Sequence, residues 1–236
     1  MATFEVQVEG LTGLSIGSSG TTPTQAELTE FLKDGVIEVT NRILSINSED
    51  FSNFTRTSSE STSQGGLGAG IGHVISVVRE SGTNNDWRGC LEIPTELQSR
   101  VTDPNSLNYS SKFSPTYTVG GDGSILVFPA PDTGGTDSYK LYYVNDIPVN
   151  SSDASLTYAH SDINYFPANK VYLVVIYAAI KSLEAKMAEY AVEEEDLELV
   201  QAIASNLSSL KQQYDTAFII KNYPKSVNAM NSKEDN

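Results

Sequence analysis

The apolar positions of residues 24–45 repeat with the spacing of one helix face. They are Leu28, Phe31, Leu32, Val36, Val39, Ile43 and Leu44. Thr24 and Glu27 stand three residues apart at the start of this stretch and form a capping box, in which each side chain satisfies a backbone N–H at the other position. Pro23 comes directly before them. We therefore predict a helix over residues 24–45.

Helical periodicity returns at residue 167. Residues 171–180 are apolar on all sides, which is typical of a helix that neighbours surround on every face. Four acids at residues 193–196 then favour the start of a last helix, because acids interact with the positive end of a helix dipole. The apolar stripe of this last helix consists of Leu197, Val200, Ile203, Leu207, Leu210, Tyr214 and Phe218. The pattern predicts two C-terminal helices.

Between the helical regions, short apolar runs alternate with turn sequences. A β-branched run at residues 74–78 predicts one strand. Three further strands, separated by Gly-Gly-Asp-Gly and Pro-Asp-Thr-Gly-Gly, are predicted at residues 116–119, 124–128 and 138–144. Because turn sequences join these three, we expect them to form an antiparallel meander. Polar residues 45–72 predict a long loop, and residues 90–112 are irregular apart from one helical turn.

The predicted fold is α+β: a helical bundle of one N-terminal and two C-terminal helices, with an inserted antiparallel β module. Phe4, Val6 and Val8 alternate with polar residues, which predicts a short strand or extended arm that offers edge pairing with a neighbour. We therefore predict that the chain divides into four parts: an N-terminal arm (1–23), a discontinuous helical bundle (24–46 and 166–218), an inserted β-rich module (47–165) and an extended C-terminal tail (219–236).

Charge narrows the possible functions. Thirty Asp and Glu against fifteen Lys and Arg give a net charge of −15, so most of the surface should repel nucleic acid. This argues against a sequence-specific DNA reader and leaves open a channel with a negative wall through which DNA slides. Residues 2–10 contain no basic residue and are not a secretory signal. The longest apolar run, 171–180, is about half the length of a membrane helix.

Catalytic and metal-binding patterns are missing from the sequence. The only histidines, His73 and His160, and the only cysteine, Cys90, match no nucleophile–base or zinc spacing. The glycine-rich residues 65–72 follow polar sequence, precede a strand and contain no lysine, so we interpret them as a hinge or close-packed turn and not as a phosphate loop. We expect a non-enzymatic protein without cofactor or metal.

Seven short strings are ELTEFLKDGV (27–36), RGCLEIP (88–94), DPNSLN (103–108), SPTYT (114–118), VFPAP (127–131), FP (166–167) and YLVVIYAAI (172–180). In this order and spacing they resemble the head–tail adaptor (connector) proteins of tailed phages, particularly those of short-tailed and marine phages. No single string is diagnostic, and together they span most of residues 24–218.

The resemblance implies a structural protein of the virion, made in the bacterial cytoplasm and placed at the head–tail junction. It implies a homo-oligomer, a dodecameric ring between the portal protein and a tail nozzle or tail-tube protein. Double-stranded DNA would pass through the lumen without sequence readout, and no membrane is involved. A ring needs unlike faces on one subunit. The two apolar helical stripes supply more hydrophobic surface than one small bundle buries.

Two sets of residues are candidates for roles in such a ring. The tail contains lysines but no acid until Glu234, and its Tyr-Pro pair disfavours further helix, so we expect an extended plug that contacts the portal or a neighbouring copy. The interface candidates are Phe218, Ile219, Ile220, Lys221, Tyr223, Pro224 and Lys225. The candidates for acids that line the channel or ring faces are Glu184, Glu189, Glu193, Glu194 and Asp196.

Three alternatives remain at this stage. The first is another virion part, a neck or head-completion protein on the tail side, because neighbouring rings share helical bundles and acidic character. The second is a secreted carbohydrate-binding protein, suggested by five tyrosines in the β segment: Tyr109, Tyr117, Tyr139, Tyr142 and Tyr143. The third is an enzyme whose site has no recognisable motif.

Overall fold

The computed structural model describes residues 2–46, 48–68, 72–83, 85–132, 136–144, 147–193 and 197–218. Within these ranges the helices are α1 (Phe4–Thr12), α2 (Gln25–Ile46), α3 (Gln98–Thr102), α4 (Val171–Glu193) and α5 (Leu197–Phe218). The strands are β1 (Thr55–Thr57), β2 (Val74–Glu80), β3 (Trp87–Gly89), β4 (Leu91–Glu92), β5 (Thr116–Val119), β6 (Ile125–Phe128) and β7 (Tyr139–Val144). The fold is α+β: a helical bundle with an inserted β module, as predicted.

Helix α4 is the centre of the bundle, and α1, α2 and α5 pack directly on it. The predicted capping box of α2 is present: the Thr24 N–H donates to Glu27 Oε2 at 2.7 Å, and the Glu27 N–H donates to Thr24 Oγ1 at 3.3 Å. Where α2 meets α4, a Cβ atom on Gly35 would lie only 3.0 Å from the Tyr177 ring. A glycine at this position therefore lets the two helices approach closely.

The predicted N-terminal strand or extended arm was wrong, because residues Phe4–Thr12 form a helix. The Val6 N–H donates to Thr3 Oγ1, and Gly13 ends the helix in the left-handed conformation with φ 70°. Phe4 and Val8 are fully buried against the bundle, whereas Val6 is 54% exposed. Phe4 and Val8 are four residues apart and therefore lie on the same face of the helix. With Val6 between them, they alternate with polar residues, and this alternation imitates the pattern of a strand.

The β module consists of two sheets and not of one meander. One sheet has the order β1-β7-β2-β3 and the other β4-β5-β6. The β5–β6 hairpin is antiparallel as predicted, but β7 leaves that sheet and pairs with β2 and β1. Strand β4 pairs with β5 in parallel. The predicted long loop also contains a 3₁₀ helix, Ser48–Asn53, and the edge strand β1.

The two sheets share one hydrophobic core. Its buried members are Val77, Tyr117, Ile125, Val127, Tyr139, Leu141 and Tyr143, which come from both sheets. The module also joins the core of the bundle: Phe54 and Val144 are buried there, and the Phe54 ring packs edge-on against Phe166 at 5.5 Å. The β module is therefore attached to the bundle by packed side chains as well as by the chain itself.

A buried guanidinium connects the ends of the two sheets. Arg79 on β2 is 2% exposed, and its Nε donates to the Pro129 carbonyl at 2.9 Å, just beyond β6. Further nitrogens donate to the carbonyls of Glu80 and Ala130, and the Asp137 carboxylate lies 3.5 Å away. Because a buried charge is tolerated only when its donors are satisfied, this network fixes how β2 lies against the end of β6.

We predict that Arg79→Ala lowers the free energy of unfolding by at least about 3 kcal/mol, since it removes a buried guanidinium and with it the donors to the carbonyls of Glu80, Pro129 and Ala130. Arg88→Ala is the matched control. Arg88 pairs with Asp86 at 2.9 Å on the surface, so its loss should cost less than about 1 kcal/mol. Urea unfolding of the two variants and the wild type measures both values. Equal costs would contradict the proposed role of Arg79.

Candidate functional site

The two predicted channel acids with described side chains both form ion pairs on α4. Glu184 lies 3.0 Å from Lys181 and 2.9 Å from Lys211 of α5, and Glu189 pairs with Lys186. Burial by itself would raise the pKa of Glu184, but the two lysines outweigh it and hold that pKa below its ordinary value. Glu184 is therefore ionised at neutral pH, and its charge is balanced by lysines of the same chain.

The other three candidate acids cannot be placed in the same way. Glu193 is the last residue of α4, and its side chain is not among those described. Glu194 and Asp196 lie outside the described residues, between α4 and α5. The prediction that these acids line a channel stays a prediction.

Phe218, the first residue of the predicted tail interface, is the last residue of α5. Its ring packs edge-on against Tyr214 at 5.0 Å, and the Arg42 guanidinium of α2 lies 4.3 Å from its centroid. Arg42 also pairs with Asp215 at 2.8 Å. These contacts tie the end of α5 to α2. The remaining predicted tail residues, Ile219, Ile220, Lys221, Tyr223, Pro224 and Lys225, lie outside the described residues.

The histidines and the cysteine have structural surroundings. His160 Nδ1 accepts the Thr157 N–H at 3.0 Å, so this nitrogen is engaged in a turn. The His73 ring stacks on Phe51 with centroids 5.9 Å apart. Burial raises the pKa of the Cys90 thiol to about 12, which keeps it protonated and unreactive at neutral pH. Over the described ranges, no three His, Cys, Asp or Glu residues come together as a metal site.

The described part of the glycine-rich segment is a close-packed turn against β6. The Leu67 carbonyl accepts the Ile125 N–H at 2.8 Å, and the Leu67 N–H donates to the Tyr139 hydroxyl at 3.1 Å. A Cβ atom on Gly68 would lie 2.6 Å from the Gly123 carbonyl oxygen. Gly68 is thus required for close backbone packing, which agrees with one of the two interpretations of this segment.

Sequence reasoning missed a cluster of buried polar groups around Glu80, next to Arg79 on β2. The Glu80 carboxylate is 2% exposed and accepts the Asn85 N–H at 3.0 Å, the Ser138 hydroxyl at 2.8 Å and the Ser138 N–H at 3.3 Å. The available signal was an Arg-Glu pair at the end of an apolar strand. Because every Glu80 partner is a donor, the cluster stabilises a corner of the sheet and offers no free acid or base.

Several large apolar side chains of the β module are exposed, among them Leu91 (70%), Leu107 (105%), Tyr109 (46%) and Phe113 (62%). Leu91 belongs to β4, and its N–H donates to the Pro115 carbonyl at 3.0 Å, which places β4 beside the end of the loop that carries the other three.

Comparisons with known proteins assign no family to the chain. No protein-family model matches the chain, and a search of curated proteins finds no similar one. Among the described helices, none combines the length and apolar character needed to cross a membrane.

The Glu80 cluster predicts a specific acid sensitivity. Burial would raise the pKa of Glu80, but the hydrogen bonds from Asn85 and Ser138 outweigh it and hold the pKa below the ordinary value of 4.5. A lowered folded-state pKa means that the stabilisation is complete above pH 4.5 and is lost as the pH falls towards the folded-state pKa. Glu80→Gln should therefore be less stable at pH 7 and lose less stability on acidification than the wild type.

The measurement is urea unfolding between pH 7 and pH 3. Glu60→Gln is the matched control, because Glu60 is 56% exposed and lies 3.9 Å from Lys140. It should leave the pH dependence unchanged. A Glu80→Gln curve parallel to that of the wild type would show that the Glu80 carboxylate does not contribute in this way.

Proposed function

We propose that this chain is a structural virion protein of a tailed phage, an adaptor that joins the portal to the tail as a dodecameric ring around the DNA channel. The observation that carries the proposal is the arrangement of a helical bundle interrupted by a β module between α2 and α4. This is the order of elements that the resemblance to adaptor proteins implies. It gives one subunit two chemically different parts, which suits contacts with unlike neighbours.

The chemistry of the described residues supports a non-enzymatic role. His160 Nδ1 accepts the Thr157 N–H and lies 3.2 Å from the Thr157 hydroxyl within the same turn, Glu184 is held in an ion pair, and Glu80 accepts buried hydrogen bonds. With a net charge of −15, a surface of this chain that faces DNA would repel the phosphates more than it binds them. DNA would therefore pass without being held.

The carbohydrate-binding alternative loses its main support in the structure. Tyr117, Tyr139 and Tyr143 are 7%, 0% and 9% exposed and form part of the core between the two sheets. Aromatic rings that stack on sugars must be accessible. These three are not, so packing explains them, whereas Tyr142 is half-buried and Tyr109 is 46% exposed. A neck or head-completion protein remains the nearest alternative, and only its position in the particle distinguishes it from an adaptor.

The test of the proposal is electron microscopy of the purified chain and of the virion. We expect a twelve-fold ring when the chain is mixed with the portal protein of its phage, and density for the chain directly below the portal in the virion. A compact monomer that never associates with portal or particle would overturn the proposal. Density one ring further from the head would favour the neck protein.

Deletion of residues 219–236 tests the tail. We expect the truncated chain to keep its far-UV circular dichroism and its unfolding midpoint, because α5 is anchored by Arg42 at Phe218. Its binding to the portal, measured by co-sedimentation, should be lost. Deletion of residues 234–236 alone is the matched control and should leave binding intact, since it keeps all the lysines of the tail. Undiminished binding of the longer deletion would exclude the tail as the docking element.

A further inference from the structure

The start of α1 is held by a turn that is distant in sequence, residues 157–160. The first N–H groups of a helix have no partner within that helix. In α1 the Phe4 N–H donates to the His160 carbonyl at 2.8 Å, and the Glu5 N–H donates to the Tyr158 carbonyl at 3.1 Å. The Phe4 side chain is fully buried in the bundle core, where α1 packs on α4. The turn therefore fixes the end of α1 that carries this buried ring.

The geometry of this turn depends on an uncharged His160 ring. The His160 N–H donates to the Thr157 carbonyl at 3.2 Å, and the Thr157 N–H donates in return to His160 Nδ1 at 3.0 Å. The Thr157 hydroxyl oxygen lies 3.2 Å from the same nitrogen. A ring nitrogen that accepts an N–H carries no proton of its own, so the neutral ring has its proton on Nε2. A second proton, on Nδ1, would point at the Thr157 N–H, and the hydrogen bond between them would be lost.

The turn is also attached to the bundle at its start. The Tyr158 N–H donates to Thr29 Oγ1 of α2 at 3.2 Å, and Leu156, directly before the turn, is fully buried in the bundle core. Neither contact involves the His160 ring. A charged ring would therefore change the shape of the turn without releasing the loop, and the groups that it displaces are the carbonyls of residues 158 and 160 that α1 requires.

Two carboxylates lie near the turn. Asp162 follows in the same loop, and hydrogen bonds from Ser151, with a smaller contribution from the charge of His160, hold its pKa below the ordinary value of 3.8. Glu5 stands in the first turn of α1, and its carboxylate accepts Gln25 Nε2 of α2, an uncharged partner, at 2.7 Å. Histidine is the side chain that changes its charge between about pH 5 and pH 8, and Asp162 stays ionised over that whole range.

We propose that His160 makes the docking of α1 sensitive to acid. Protonation of its ring removes the acceptor of the Thr157 N–H, displaces the carbonyls of residues 158 and 160, and loosens the start of α1 from the bundle. The loosened state binds one proton more than the docked state, so docking is strongest at the alkaline end of the range and weakens as the pH falls. Because α1 covers part of α4, acid uncovers apolar surface of that helix. This inference goes beyond the proposed adaptor and does not rest on it.

The test is amide hydrogen exchange of the full-length chain, measured by NMR and corrected for the intrinsic pH dependence of exchange. From about pH 8 to about pH 5, the protection of the Phe4 and Glu5 amides should fall roughly five- to tenfold, the effect of losing about one hydrogen bond. The midpoint of this loss should coincide with the titration of the His160 ring in the same spectra. This wild-type series requires no substitution, so its result does not depend on whether a variant folds.

Substitutions at His160 separate the acceptor from the charge. His160→Asn should keep the protection over the whole range, because its Oδ1 stands where the histidine Nδ1 does, accepts the Thr157 N–H and takes up no proton. His160→Ala removes the acceptor and should give low protection throughout. His73→Asn is the matched control: it changes the other histidine of the chain, which stacks on Phe51, and should keep the wild-type response.

Three results would overturn the proposal. The first is wild-type protection at Phe4 and Glu5 that stays constant over the range, and the second is a His160→Asn response equal to that of the wild type. The third is a loss of protection at Thr157 alone, which would confine the effect to the turn. The acid response of Glu80 does not interfere, because its stabilisation is complete above pH 4.5.

Discussion

The constraint on which the whole structure depends is the need to cover α4 on every side. From Leu173 to Ile176 and from Ala178 to Ile180 its residues are at most 8% exposed, although successive residues of a helix point in different directions. Helices α1, α2 and α5 each cover one part of this surface, and Phe54 and Val144 of the β module belong to the same core, together with Phe166 just before α4. Each buried aliphatic side chain contributes about 1.5–3 kcal/mol to stability. The surrounding elements are therefore placed where they cover the apolar surface of α4.

Local signals in the sequence predicted the helices and strands themselves, because helix caps, periodicity and turns are encoded by neighbouring residues. The capping box at Thr24 and Glu27 and the all-round apolar run of α4 predicted two long helices, and both are present. The spans of β5, β6 and β7 were also predicted. What the sequence did not show was pairing: a turn sequence predicts that the chain reverses, but not which strand it meets afterwards. Strand β7 therefore joined the wrong sheet in the prediction.

The polar core of the β module was missed for a related reason. The guanidinium of Arg79 is satisfied by carbonyls about fifty residues away, at Pro129 and Ala130, and nothing in the local sequence announces them. In the candidate site, the same limit applies to Glu184. Its pairing with Lys211 depends on how α4 and α5 lie against each other, so the sequence alone did not show that this acid is balanced by a lysine from the next helix.

The two parts of the subunit are coupled through packed side chains, and this matters for any protein that contacts different partners at each part. Phe54 and Val144 stand at opposite connections of the β module, one just before β1 and the other at the end of β7, and both are buried in the bundle core with Phe166. Interiors packed in this way transmit displacement because they deform little. In the proposed adaptor, a contact made by the β module would thus hold a fixed position relative to the end of α5. A flexible tether between the parts would allow each contact to form without the other, and the observed packing opposes that independence.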